Sequence, residues 1–364
     1  MASFVCIAYR KEAIGKFVSK RKENLKMKKK LVALFMAAAM AFGAVGCGGG
    51  ETAPAEGDTA ALEDFTIVLD WYPNAIHSFL YVAQEKGYFA EEGLNLVINF
   101  PANTNDGISM PAAGKADIGM YYLQDAIQTA MEEDVPIVSV GAVTQSSLNV
   151  VISLAESGIK GAEDLAGKKI GYAGTALSEA QIASMLEYAG LSADDCEFID
   201  VGFDLLTATT TGQVDATTGN MVNHEVPQLE EEGFDINYFY PTDYGVPECY
   251  ELVFLAGKDA VENNPEKIQR FLRACQKGFD FMKENPEEAL QILLANQNAE
   301  NFPLSETVET ESMNILLPVM ETEDARFLHQ EVSVWQDNAD WMYEKGILGE
   351  QVDVSGLVVN LLEE

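Results

Sequence analysis

The chain is poor in the residues on which most catalysis and metal binding depend. Three histidines and five cysteines stand in 364 residues. Cys196, Cys249 and Cys275 lie 53 and 26 positions apart, a spacing that fits no zinc or iron motif. Three cysteines beyond Cys47 cannot all pair internally, and the apolar neighbours of Cys196 and Cys275 predict buried thiols. No Gly-rich phosphate loop and no Gly-x-Ser-x-Gly elbow is present, which argues against nucleotide hydrolysis and a serine hydrolase. Positive charge is also scarce: 23 Lys and Arg face 58 Asp and Glu, a net charge of −35. Ten of those basic residues, but only two of the acidic ones, precede residue 47. The remainder repels nucleic acid and anionic membranes, and its ordinary meaning is solubility.

Long apolar runs are missing too, with one exception. Residues 31–45 (LVALFMAAAMAFGAV) carry no charge, follow Lys28-Lys29-Lys30 and lead into Gly46-Cys47. A basic region, a short apolar core and a small residue before the cut make a secretory signal, too short for a comfortable membrane span. The Cys after Val45-Gly46 resembles a bacterial lipobox, with Ala44 in place of the usual Leu. The expected product begins at lipidated Cys47, on the extracellular face of the cell membrane. Residues 1–26 then read as an extension upstream of the true start at Met27, 27–46 as the signal peptide, and 47–63 as a flexible tether rich in Gly, Ala and Pro.

What the chain does have is strand–helix alternation, which predicts α/β lobes with parallel sheets. Phe65–Leu69 reads as a strand, His77–Glu91 as a helix and Asn95–Phe100 as a strand. The plan recurs from Lys169 onward. Both halves carry a short strand after an acidic step, Gly114-Lys115-Ala116-Asp117 and Gly212-Gln213-Val214-Asp215. The expected division is 64–150 plus 252–364 for lobe 1 and 151–251 for lobe 2, joined by two crossings that form a hinge.

The densest chemistry lies in Asp70-Trp71-Tyr72-Pro73-Asn74-Ala75-Ile76-His77, where a strand meets a helix. Open α/β sheets hold ligands at such junctions. This stretch, with Tyr81-Val82-Ala83-Gln84-Glu85-Lys86-Gly87-Tyr88-Phe89, resembles the family that includes periplasmic thiamine-pyrimidine-precursor binders and fungal thiamine pyrimidine synthases. The resemblance runs from about Asp64 to about Trp341. It implies a bilobal type II periplasmic-binding-protein fold, with two parallel-sheet lobes and a two-crossing hinge that closes on ligand. In the family pattern Trp71 stacks on the ligand ring, and Glu251 beside Tyr250 contacts an aminopyrimidine.

Other candidates follow from position. Asn74 either caps the next helix or points its amide at a heterocycle. His77 begins that helix. Of Tyr121 and Tyr122 one is expected to face the cleft, Tyr121 by preference, with Gln124 beside it. Thr175 leads into a helix N-terminus and Asn220 ends the matching strand of the second half. Cys249 lies in the same binding stretch. The synthases need a Lys, a His four residues on and a Cys-Cys-Cys-Phe-Cys run; here Tyr121 and Asp125 stand at the first two positions and the run is absent. The sequence therefore reads as a non-enzymatic, cofactor-free and metal-free binder of a small aromatic nitrogen heterocycle, serving an ABC permease and ATPase. A thiamine pyrimidine precursor is the leading ligand; riboflavin and alkyl sulfonates are the alternatives.

Overall fold

The computed structural model describes residues 61–103, 105–202, 204–297 and 302–362. The signal peptide assigned to 27–46, the lipid site Cys47 and the upstream stretch 1–26 lie outside the described residues.

Ten strands form two five-stranded sheets among the described residues. The first holds β1 (Glu63–Val68), β2 (Leu94–Asn99), β3 (Ile118–Tyr122), β4 (Ile137–Ala142) and β10 (Leu252–Gly257) in the order β2-β1-β3-β10-β4. The second holds β5 (Asn149–Leu154), β6 (Lys169–Tyr172), β7 (Glu197–Asp200), β8 (Ala216–Met221) and β9 (Ile236–Phe239) in the order β7-β6-β8-β5-β9. β1 pairs in parallel with β2, Phe65 opposite Leu96, and with β3, Ile67 opposite Ile118. β6 repeats this between β7 and β8. The sheets are not wholly parallel, however. β10 runs against β3 and β4, and β5 against β8 and β9. Each is the strand by which the chain enters a sheet from a crossing, so it needs no covering helix to arrive and is free to run the other way.

The repeated acidic step does the same work twice. Asp117 Oδ2 accepts the Thr66 N–H of β1 at 2.8 Å, and Asp215 Oδ2 accepts the Lys169 N–H of β6 at 2.8 Å. Each carboxylate thus ties the start of one strand to the backbone donor of its neighbour, which sets the parallel register.

The expected helix His77–Glu91 is broken. A 3₁₀ turn (Ala75–His77) precedes the helix Ser78–Glu85, and Gly87, at φ 79°, separates it from the helix Tyr88–Glu91. The helix Pro265–Glu284 starts with Pro at its first position and buries Ile268, Phe271, Leu272, Cys275, Phe279 and Met282, a stripe at helical spacing. Phe271 stacks on Phe65 with centroids 4.4 Å apart, and truncating such a ring costs about 3–5 kcal/mol. Gly278 of this helix leaves no room for a side chain: a Cβ would lie 2.3 Å from the Phe79 carbonyl. This close packing holds the helix Ser78–Glu85, which follows the Asp70–His77 loop, against the helix Pro265–Glu284.

The outgoing crossing lies between Ala142 and Asn149, and the return between Phe239 and Leu252. The helix Val332–Glu344 spans both lobes: Asn338 bonds Gln124 of the first, and Trp341 Nε1 donates to Ser184 Oγ of the second at 3.2 Å. No helix among the described residues is long and apolar enough to cross a membrane.

Candidate functional site

A cavity of about 370 Å³ opens between the two sheets, within the range that holds small ligands. Its walls come from the end of β1, the junction of β3 with the helix Leu123–Glu132, the start of β5, the N-terminus of the helix Ala176–Tyr188, the end of β8 and the return crossing. A larger groove of about 580 Å³ runs beside Pro227 and Thr310, but its lining of glutamates and threonines holds no aromatic side chain.

Six of the nine ligand-binding candidates line the cavity: Trp71, Asn74, Tyr121, Gln124, Thr175 and Glu251. Trp71 is 48% exposed, which leaves its face free to stack. Asn74 combines both of its expected roles. It is on the wall, and its Oδ1 accepts the Ile76 N–H at 3.1 Å to cap the 3₁₀ turn. Thr175 likewise caps its helix, accepting from the Ser178 N–H. Tyr121 and Tyr122 do not divide between core and cleft. Both are half-buried and both line the cavity, edge to face at 5.1 Å, because β3 ends and the helix begins between Tyr122 and Leu123.

Three candidates stand behind the wall. His77 is fully buried; its Nδ1 accepts the Asn74 N–H at 3.2 Å, so its proton sits on Nε2, 2.9 Å from Asp70 Oδ1. It orients Asp70, which does line the cavity. Asn220 turns its Nδ2 onto the carbonyl and hydroxyl of Thr217, both at 3.0 Å. Tyr250 is in the core, where its hydroxyl accepts the Glu331 N–H at 2.9 Å.

Glu251 has a second role. Its Oε2 accepts the N–H groups of Leu148 and Asn149 at 2.8 and 3.1 Å, so a residue of the return crossing clamps the outgoing one. Burial pushes its carboxyl above the ordinary range, against those two bonds. Burial also pushes Asp125, on the same wall, up to about 6. The Cys249 thiol is driven well up by burial and by nearby Glu251, which keeps it protonated.

A chain of side-chain amides runs through the cavity floor from lobe to lobe. Asn338 Nδ2 donates to the Glu248 carbonyl, and Gln124 Nε2 to Asn338 Oδ1 at 2.8 Å. Gln181 Nε2 then donates to Gln124 Oε1 at 3.0 Å, and Asn149 Nδ2 to Gln181 Oε1 at 3.1 Å. Finally the Gly219 N–H donates to Asn149 Oδ1. The Gln181–Gln124 bond joins the two lobes directly.

The lining holds four carboxylates (Asp70, Asp125, Glu225 and Glu251), His224, and no Lys or Arg. Sequence reasoning did not single out Asp70, Asn149, Gln181, Asn223 or Glu225. Asp70 was within reach, since it opens the same motif. The others carry no local signal and are brought to the site by the tertiary fold.

The NMT1/THI5 like family profile matches residues 74–289. The chain belongs to this family. Among NMT1/THI5 like relatives, the formylaminopyrimidine-binding protein of Halalkalibacterium halodurans is 45% identical over 285 residues, 78% of this chain and 86% of that one. The 4-amino-5-hydroxymethyl-2-methylpyrimidine phosphate synthase of Aspergillus parasiticus is 29% identical over 242 residues, 63% of this chain and 69% of that one. The fold is that of periplasmic binding proteins. The alkanesulfonate-binding protein SsuA of Xanthomonas axonopodis pv. citri, bound to MOPS, superposes with a TM-score of 0.64 at 16% identity, covering 83% of this chain and 99% of its own.

Proposed function

We propose that this chain is the substrate-binding component of an ABC importer and captures an aminopyrimidine of the thiamine-precursor type between its lobes. The observation that carries this reading is the cavity lining, with Trp71, Tyr121 and Tyr122 as aromatic faces and four carboxylates without a Lys or Arg. A flat ring with an exocyclic amine satisfies both features, stacking on the aromatics and donating to a carboxylate. The relative named for binding formylaminopyrimidine supports the same ligand class. In this reading Cys47 carries the lipid that holds the domain at the outer face of the membrane, beside its permease and ATPase.

A synthase is the second reading, favoured by the relatives that bear that name. Its Schiff-base chemistry requires an amine nucleophile, and the lining offers none: Tyr121 and Asp125 occupy the positions where the family resemblance asks for Lys and His. A sulfonate ligand meets four carboxylates and no Lys or Arg, which disfavours an anion.

A thermal-shift panel of aminopyrimidines, thiamine, riboflavin, taurine and alkyl sulfonates tests the reading. A ligand at 100 times its Kd adds about 2.7 kcal/mol, a rise of about 4 °C for a chain of this size. A rise with aminopyrimidines alone is expected. A rise with a sulfonate or riboflavin in their place overturns the ligand assignment.

A further inference from the structure

Charge in the cavity is one-sided, with four carboxylates and no Lys or Arg on the lining. The Nε2 groups of Gln124 and Gln181 and the Nδ2 of Asn149 each give one of their two N–H groups to the amide chain. Asn223 also lines the cavity; its Nδ2 is held by Ser312 Oγ at 3.1 Å, while its Oδ1, on a residue only 3% exposed, has no partner. What a ligand meets is therefore an acidic lining with a buried, unpartnered carbonyl oxygen beside it.

The charged and titratable groups can be followed element by element. The end of β1 presents Asp70, backed by His77. The junction after β3 presents the hydroxyls of Tyr121 and Tyr122 and the carboxyl of Asp125. The second lobe presents Glu225, paired with His224 at 3.0 Å, with Glu309 behind them. The return crossing presents Cys249 and Glu251, with Glu248 close by. No three His, Cys, Asp or Glu side chains among the described residues are placed to hold a metal ion.

A neutral 4-aminopyrimidine answers this lining only in part. Its amine donates, but its two ring nitrogens are acceptors. A ring lone pair facing a buried carboxylate is repelled unless a proton lies between them. Resting on the aminopyrimidine reading above, we propose that capture of the ligand is coupled to uptake of one proton from solvent, shared between a cavity carboxyl and a ring nitrogen. No bond of the ligand is made or broken; the proton comes from water or buffer and returns there on release. The elevated carboxyls of Asp125 and Glu251 are consistent with this, because burial already makes both resist carrying charge.

The test is isothermal titration calorimetry of the full chain with 4-amino-5-hydroxymethyl-2-methylpyrimidine at one pH near 7.5, in buffers of differing ionisation enthalpy. The slope of observed heat against buffer ionisation enthalpy counts the protons taken up. A slope of about one proton per ligand is expected, with affinity falling about tenfold per pH unit above neutrality. Binding with zero slope and no pH dependence overturns the coupling and leaves the ligand reading standing. No heat with this pyrimidine or its formylamino relative overturns both.

Discussion

Glu251 is expected to separate the hinge from the ligand site. One oxygen of its carboxylate accepts the N–H groups of both Leu148 and Asn149, and Leu148 is buried. Hydrogen bonds to a charged group contribute about 1.5–3 kcal/mol each. Asn149 is only half-buried and recovers part of its bond from water, so Glu251→Ala is expected to lose about 3 kcal/mol. At about 2 cal/mol/K per residue over roughly 300 folded residues, that lowers Tm by about 5 °C. Glu251→Gln keeps a carbonyl oxygen for the same two donors and removes a charge that burial disfavours. These effects oppose each other, and Tm is expected to stay within about 2 °C of the parent. Both variants are expected to lose aminopyrimidine affinity, because neither offers a carboxyl. Differential scanning calorimetry and ligand titration on the three proteins decide the matter. An alanine variant as stable as the parent refutes the clamp; a glutamine variant that still binds fully refutes the ligand role.

Gln181→Leu removes the amide–amide bond that joins the lobes at the cavity and strands the buried Gln124 oxygen; ligand titration is expected to show affinity about 5- to 30-fold weaker, from a loss of about 1–2 kcal/mol. Trp71→Ala is expected to weaken binding by a comparable 1–3 kcal/mol of stacking while leaving Tm nearly unchanged, since the side chain is half exposed. Asp125 sits at about 6 in the folded chain against an ordinary 3.8, so the folded state binds more protons between those values and stability falls as pH rises through them. Asp125→Asn is expected to flatten the Tm profile between pH 4 and 6 and to raise Tm near pH 7.5. Cys47→Ser is expected to release the protein from the membrane fraction of its host, and retention there refutes a lipid anchor at Cys47.

Much of the fold was legible because it is written in local patterns. Phe65–Leu69 is a short apolar run that reads as a buried strand, and the acidic steps at Asp117 and Asp215 mark equivalent places in two sheets. The direction of β5 and β10 was not legible. Both are short apolar runs, and nothing local tells a strand which neighbour it meets or which way it runs. The break at Gly87 was hidden for a related reason. The apolar spacing continues across it, and only the left-handed φ of the glycine reveals that the helix stops and restarts.

The site divides along the same line. Trp71 and Glu251 stood out through the family resemblance, which carries a stacking ring at the first position and a carboxylate at the second. His77, Asn220 and Tyr250 looked equally suited to a ligand, yet each is turned onto the protein: His77 onto Asp70, the Nδ2 of Asn220 onto Thr217, Tyr250 onto the backbone of Glu331. Whether a polar side chain is occupied depends on how the fold turns it, onto a near neighbour as with Asn220 and Thr217 or onto a distant one as with Gln124 and Asn338. Composition foreshadowed the outcome only in bulk. A chain this acidic was expected to repel anions at its surface, but the same sign holds inside the cleft, where Asp70, Asp125, Glu225 and Glu251 converge without a basic residue. A cavity lined by four carboxylates and no Lys or Arg selects against an anion and for a ligand that offers N–H donors or positive charge.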